Sequence, residues 1–267
     1  LVDKNPFRQR TDKSPSIPPF GEAKLRLPEP VLPEHPGWVE MYWRAWEMAW
    51  SNLRRPKTDS RFVANYVNTP GSSNVSLWDS SFVAQYGWYG RRAFNFMDSL
   101  DNFYARQHDD GFICREIDPT TGKDFFYPFD PNGTGPNILA WTEWRYFRTT
   151  GDDGRLADVF WPLLAYHHWL RTNRTWPGGL YWATGISSGM DNQPRVPDSK
   201  YHHRHWTWID ANVQAILNGR MLEQIGALLE QPDAVKDLTD ERTRLIRLVN
   251  DELWSEEINF YLDADAN

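Results

Sequence analysis

The chain has 267 residues, 40% hydrophobic and 24% charged, enough for one large globular domain or two small ones. A net charge of −7 without any Lys/Arg run argues against a nucleic-acid partner, and no stretch approaches a membrane span. The single cysteine, Cys114, excludes an intrachain disulfide and a cysteine-based zinc site.

Residues 1–37 are rich in proline and polar residues and predict an extended N-terminal arm lying over a neighbouring surface. Residues 38–267 then read as a helical domain. Trp38, Met41, Tyr42, Ala45, Trp46, Ala49 and Leu53 recur at helical spacing, and Pro56 closes that helix. A second helix starts after Asp79, a candidate N-cap, and runs to about Gly90. A third spans Arg92 to Gln107, with Phe96, Met97, Leu100, Phe103 and Tyr104 inward.

Asp109-Asp110-Gly111 is a turn, and residues 118–136 form a long loop. Helices follow over Ile138–Thr149, closed by Gly151, and over Asp153–Asn173. After a loop from Thr175 to about Trp206, a helix covers Trp208–Leu229 with Val213, Ile216, Leu222, Ile225 and Leu228 inward. The last helix spans about Asp233–Trp254. Helices in series joined by alternating short and long loops predict an all-α toroid of antiparallel helix pairs. About seven long helices make half of a six-pair ring, so the ring is expected to be incomplete in this chain.

Aromatic residues make up 15% of the chain, including 15 Trp. A core needs few tryptophans, because a buried indole N–H needs a partner. Part of the excess therefore predicts rings lining a pocket, where sugar C–H faces would pack.

Four clusters hold the unusual residues, and each has a structural alternative. Trp78-Asp79 sets a carboxylate beside a ring, but Asp79 reads equally as a cap. Arg115-Glu116 follows an apolar triplet and reads as pocket residues or as an ion pair. Gly135-Pro136-Asn137 opens a helix that carries Trp141 and Glu143, the latter facing pocket or solvent.

The fourth cluster, Ser188-Gly189-Met190-Asp191-Asn192-Gln193-Pro194-Arg195, holds one acid on a shaped loop near Tyr181, Trp182, Trp206 and Trp208. Partial burial among rings would keep the Asp191 proton near neutral pH, as a glycosidic general acid requires; the alternative is an Asx-turn. His202, His203 and His205 are adjacent loop residues with unsuitable metal spacing. Neither a metal nor another cofactor is expected.

Taken in order, five segments resemble the trehalase-like glycoside hydrolases of families 37 and 63, and family 63 with its bacterial relatives more closely. They are Trp78–Phe82, Ser99–Tyr104 with Gly111–Glu116, Pro136–Trp141, Ser188–Arg195 and Trp208–Asn212. The resemblance implies an (α/α)6 barrel and an inverting α-glycosidase acting on an oligosaccharide or glycoside. It implies Asp191 as the general acid. It makes Trp78, Asp79, Arg115, Asn137, Trp141, Asn192, Arg195 and Asp210 candidates for the sugar pocket.

Ser187 stands where trehalases place a Glu, which argues against trehalose as substrate. The family's general-base Glu maps to no residue here. The base and the remainder of the barrel are therefore expected outside these residues, in the same gene product or a second chain. Two other classes stay open: an epimerase or lyase using the His202–His205 cluster, and a sugar-binding protein without catalysis.

Overall fold

The computed structural model describes residues 1–69, 71–190 and 205–265. They fall into two compact units, described here in turn.

The first unit comprises Phe7–Arg106 and Glu116–Phe125. Its elements are α1 (Phe20–Lys24), α2 (Pro36–Ser51), β1 (Leu53–Arg54), β2 (Tyr66–Val67), β3 (Val75–Ser76), α3 (Leu77–Gly87), α4 (Asp98–Ala105) and β4 (Glu116–Ile117). Pro36 begins α2 where its missing N–H costs nothing. Trp46, Ala49 and Trp50 bury one face of that helix against Leu53, Val67, Phe94 and Phe96. Trp38 and Met41, expected on the same stripe, are exposed. The helix ends at Ser51, before Pro56, because Leu53–Arg54 turns into an antiparallel pair with Tyr66–Val67.

Residues 10–19 are free of helix and strand. The backbone there serves as acceptor: Pro18 O takes the Trp50 Nε1–H at 2.7 Å, and Pro15 O takes the Asn65 amide at 3.0 Å. Proline carbonyls suit this use, since a residue without an N–H still accepts.

Helix α4 is shorter than its apolar pattern predicts. Phe96 and Met97 are fully buried from turns that precede it. An apolar run is buried for its chemistry whatever backbone carries it, so the period alone misplaced the start. Asn102, inside α4, is fully buried; its side-chain oxygen accepts from Val63 N and Ala64 N while its amide donates to Ala64 O.

The second unit comprises Leu1–Pro6, Gln107–Arg115 and Phe126–Asn267. It holds α5 (Leu139–Thr150), α6 (Asp153–Asn173), α7 (Ile209–Leu228), α8 (Lys236–Glu252) and the hairpin β5 (Trp254–Ser255) with β6 (Phe260–Tyr261). Gly151, at φ +77°, ends α5 in a left-handed cap that a glycine adopts freely. Asp152 then caps α6, accepting from Arg155 N at 3.0 Å. A two-residue connection of this kind forces the two helices antiparallel. Helices α5, α6 and α7 pack on one another, and α7 packs on α8.

Leu222 and Ile225 of α7 are fully buried, whereas Val213 and Leu228, expected inward, are exposed. Trp208, which precedes α7, caps it with no side-chain acceptor. Asp263 supplies one from a distance, accepting from Ile209 N at 2.9 Å.

Candidate active site

A small cleft of about 40 Å³ opens in the second unit, between the Thr134–Asn137 segment, the Tyr181–Ser187 loop and α7. It has room for about one water molecule. Asn137 is buried on its wall, and its Oδ1 has no hydrogen-bond partner among the described residues. A buried acceptor without a partner costs free energy that a bound hydroxyl would recover.

The ring of Trp182 forms another wall. Arg174 packs its guanidinium 4.7 Å from the Trp182 centroid and 4.9 Å from that of Trp169. Its Nη2 donates to Asp130 O at 2.8 Å and to Pro128 O at 3.3 Å. Burial pulls the Arg174 pKa down to about 10, against the pull of Tyr166 and Asp130, so it stays charged at neutral pH. His205 stands edge-on to Trp182, with centroids 4.5 Å apart.

The chain leading to Asp191 is tightly held. Thr184 Oγ1 donates to Asn132 Oδ1 at 2.7 Å, and Ser187 Oγ accepts from Thr184 N at 2.8 Å. Ser188 is buried, its N–H donates to Thr184 O, and its hydroxyl accepts from Met190 N. Gly189 adopts φ +78°, the left-handed geometry that its lack of a side chain permits. Asp191, Asn192 and Arg195 lie outside the described residues, as do His202 and His203.

Arg115 is half-buried and donates from Nη1 to Ile186 O at 2.6 Å, with its guanidinium 5.0 Å from the Phe126 ring centroid. It thus touches the loop that precedes the acid. Trp141 is half-buried on α5, with Arg145 5.0 Å from its ring. Asp210 lies in the first turn of α7, where Ala211 N donates to its Oδ1 at 3.2 Å.

Two carboxylates, Glu143 and the half-buried Glu241, hold networks that no sequence spacing marks. Glu143 faces neither pocket nor solvent: fully buried, it takes Arg155 Nε at 2.6 Å and Nη2 at 2.8 Å. Glu241 of α8 accepts from Tyr181 OH at 2.5 Å and pairs with His167 Nε2 at 3.1 Å and Arg171 Nη1 at 3.2 Å. Asn218 meets the other ring nitrogen of His167 at 3.0 Å. Burial alone would raise the Glu241 pKa, but His167, Tyr181 and Arg171 outweigh it and hold it at about 2. The Tyr181 hydroxyl is pushed well above its ordinary value by burial and then by Glu241.

The sequence signal for this second network is slight. His167 and Glu241 are 74 residues apart, and Glu241 sits in a helix rich in surface charge. Tyr181 and His167 both line the cleft, so the network braces its wall.

Trp78 and Asp79 belong to the first unit. Asp79 does not cap α3: the cap position is Ser76, and Asp79 is in the first turn, accepting from Thr69 Oγ1 at 3.2 Å. An acid in a first turn still favours the positive end of the helix dipole, which is why the sequence signal resembled a cap. Trp78 packs edge-on against Phe82, with centroids 4.7 Å apart. The first unit also has an apolar groove of about 680 Å³ walled by Tyr42, Trp46, Tyr86 and Tyr89. Its described lining residues include no carboxylate.

Comparison with known proteins bears on this site. The chain is 25% identical over 181 residues to an uncharacterised protein of Borreliella burgdorferi, covering 67% of this chain and 36% of that protein. It therefore spans about a third of that relative's length. The structure of GH63 mannosylglycerate hydrolase from Thermus thermophilus in complex with Tris and D-glycerate is similar at TM-score 0.62 and 20% identity, over 83% of this chain and 67% of that one. The same enzyme in complex with glucose matches at TM-score 0.59 and 20% identity, with the same coverage. These likenesses show the fold, the all-α barrel of family 63. A family model described as the mannosylglycerate hydrolase MGH1-like glycoside hydrolase domain matches residues 72–267. With most of its length matched, the chain belongs to this family of MGH1-like glycoside hydrolase domains.

Proposed function

We propose that the chain carries the proton-donating part of an inverting α-glycosidase. Asp191 protonates the leaving glycosidic oxygen, and a glutamate outside these residues activates water on the opposite face. An inverting pair stands roughly 6.5–9.5 Å apart to admit that water. Glu143 and Glu241 of the second unit are unsuited to the base role. Glu143 is neutralised by Arg155, and Glu241 by its His167, Tyr181 and Arg171 partners.

The observation that carries this reading is the hydrogen-bonded Thr184–Met190 segment, which immediately precedes Asp191 in the chain and borders a cleft with an unpartnered Asn137 acceptor. Hydrogen bonds within a loop hold its backbone, and a held backbone helps to position a reacting group. Asn137, Trp141, Arg115, Asn192, Arg195 and Asp210 surround the sugar; Trp78 and Asp79 are candidates by the family resemblance alone. The substrate is a glycoside of an α-linked hexose. Mannosylglycerate, named in the structural relatives, is the first compound to assay.

The test follows hydrolysis by proton NMR in the intact protein, with mannosylglycerate and a panel of α-glucosides. Initial release of the β-anomer supports the proposal. Initial release of the α-anomer would rule out inversion, and a rearranged or unsaturated product would favour an epimerase or lyase.

A further inference from the structure

A groove of about 720 Å³ in the first unit gathers six cationic side chains, Arg8, Arg10, Arg55, Lys57, Arg61 and Arg106, against one lining carboxylate, Asp12. The chain as a whole carries −7, so this concentration runs against its overall charge. Like charges gathered by folding repel one another, and a bound anion relieves that repulsion.

Nearby carboxylates offset part of this charge. Arg10 pairs with Asp101 at 3.2 Å, and Lys57 donates to the Thr120 hydroxyl at 3.1 Å. Arg106 is half-buried, with its Nε donating to Gly122 O at 2.9 Å. Burial lowers its pKa; Asp124 opposes this and Arg61 adds to it. Arg55 and Arg61 are exposed and make no side-chain hydrogen bond or ion pair among the described residues. Arg61 also holds φ +55°, a backbone angle unusual for a residue with a side chain.

We propose that this groove binds a small organic ligand bearing two or more oxyanion groups, of the phosphate-ester kind. Guanidinium groups present paired donors that match the oxygens of phosphate. The volume falls in the range of small-molecule sites. Phe62, Val63 and Ala105 add an apolar patch to the lining, which would take the carbon skeleton of such a ligand. This proposal does not depend on the Asp191 chemistry.

The test is calorimetric titration of the protein at low salt with two probes, inorganic pyrophosphate and fructose 1,6-bisphosphate. The variants are Arg55→Ala, Arg61→Gly, which keeps the positive φ accessible, and Arg220→Ala as an exposed control on α7. Saturable binding of the bisphosphate at or below millimolar concentration is expected, weakened about tenfold by either groove variant and unchanged by the control. Weaker binding of pyrophosphate supports an organic phosphate; equal binding assigns the site to the oxyanions alone and overturns the carbon-skeleton part. No saturable binding of either probe, or equal weakening by the control, would overturn the site.

Discussion

Arg115 Nη1 donates to the main-chain oxygen of Ile186 at 2.6 Å, five residues before Asp191. One residue of the Gly111–Glu116 segment is thereby tied to the approach of another. The resemblance made Arg115 a sugar-pocket candidate; the hydrogen bond gives it a second task, fixing the loop that leads to the acid. Arg115→Ala is expected to speed amide exchange at Ser188 and Met190 while leaving the helices protected. Turnover should fall by about 100-fold, the cost of a misplaced reacting group. Unchanged exchange at those two amides would remove the positioning role.

Asn137 presents a buried oxygen with no partner among the described residues. Asn137→Ala should therefore cost little stability, within about 1 kcal/mol, because no hydrogen bond to that oxygen is lost. Sugar affinity should drop about tenfold. Thermal melting together with a binding titration separates the two effects. A large loss of stability with unaltered affinity would make Asn137 structural.

The Glu241 network links stability to pH. Its folded pKa of about 2 lies below the ordinary glutamate value near 4.5. A depressed carboxylate stabilises the folded state above its unfolded pKa, and that stability is lost as pH falls from about 4.5 toward about 2. The shift corresponds to about 3 kcal/mol. Glu241→Gln is expected to lower stability at neutral pH by a similar amount and to flatten this acid limb. Urea denaturation across the window measures both, and an unchanged acid limb would contradict the assignment.

Glu143 is fully buried and Arg155 half-buried, so removing Arg155 takes a bidentate cationic partner from a buried carboxylate. Arg155→Met alone should destabilise by about 3–5 kcal/mol. Adding Glu143→Leu should restore most of that loss, because the desolvation cost disappears with the second charge. A double-mutant cycle by chemical denaturation reads the coupling directly.

The helices were legible where local chemistry marks their ends. Asp152 and Gly151 delimit α5 and α6, and the expected span Asp153–Asn173 matches the observed helix. Legibility failed where distant residues complete the structure. Asp263 caps α7 across 54 residues, and Tyr181 reaches Glu241 across 60. No spacing rule reports such pairs. The start of α4 was misread for another reason: Phe96 and Met97 are core residues outside a helix.

The tryptophans differ in their burial. Trp46, Trp50, Trp88, Trp169 and Trp208 are buried, while Trp182 lines the cleft. Of the proposed sugar contacts in the second unit, Asn137 on the cleft wall and Arg115 on the loop are the best supported by geometry. Asp191 is proposed from its loop residues and the ordered motifs around it, and it lies outside the described residues.

The central claim is that Asp191 donates the proton. The decisive measurement compares turnover of Asp191→Asn with that of the parent, in the intact protein, on a natural α-glycoside and on one with a leaving group that needs no protonation. On the natural substrate the account predicts a loss of at least about 100-fold, the lower range of general acid catalysis. The loss should be much smaller on the activated substrate. Near-parental turnover on the natural glycoside would contradict the assignment.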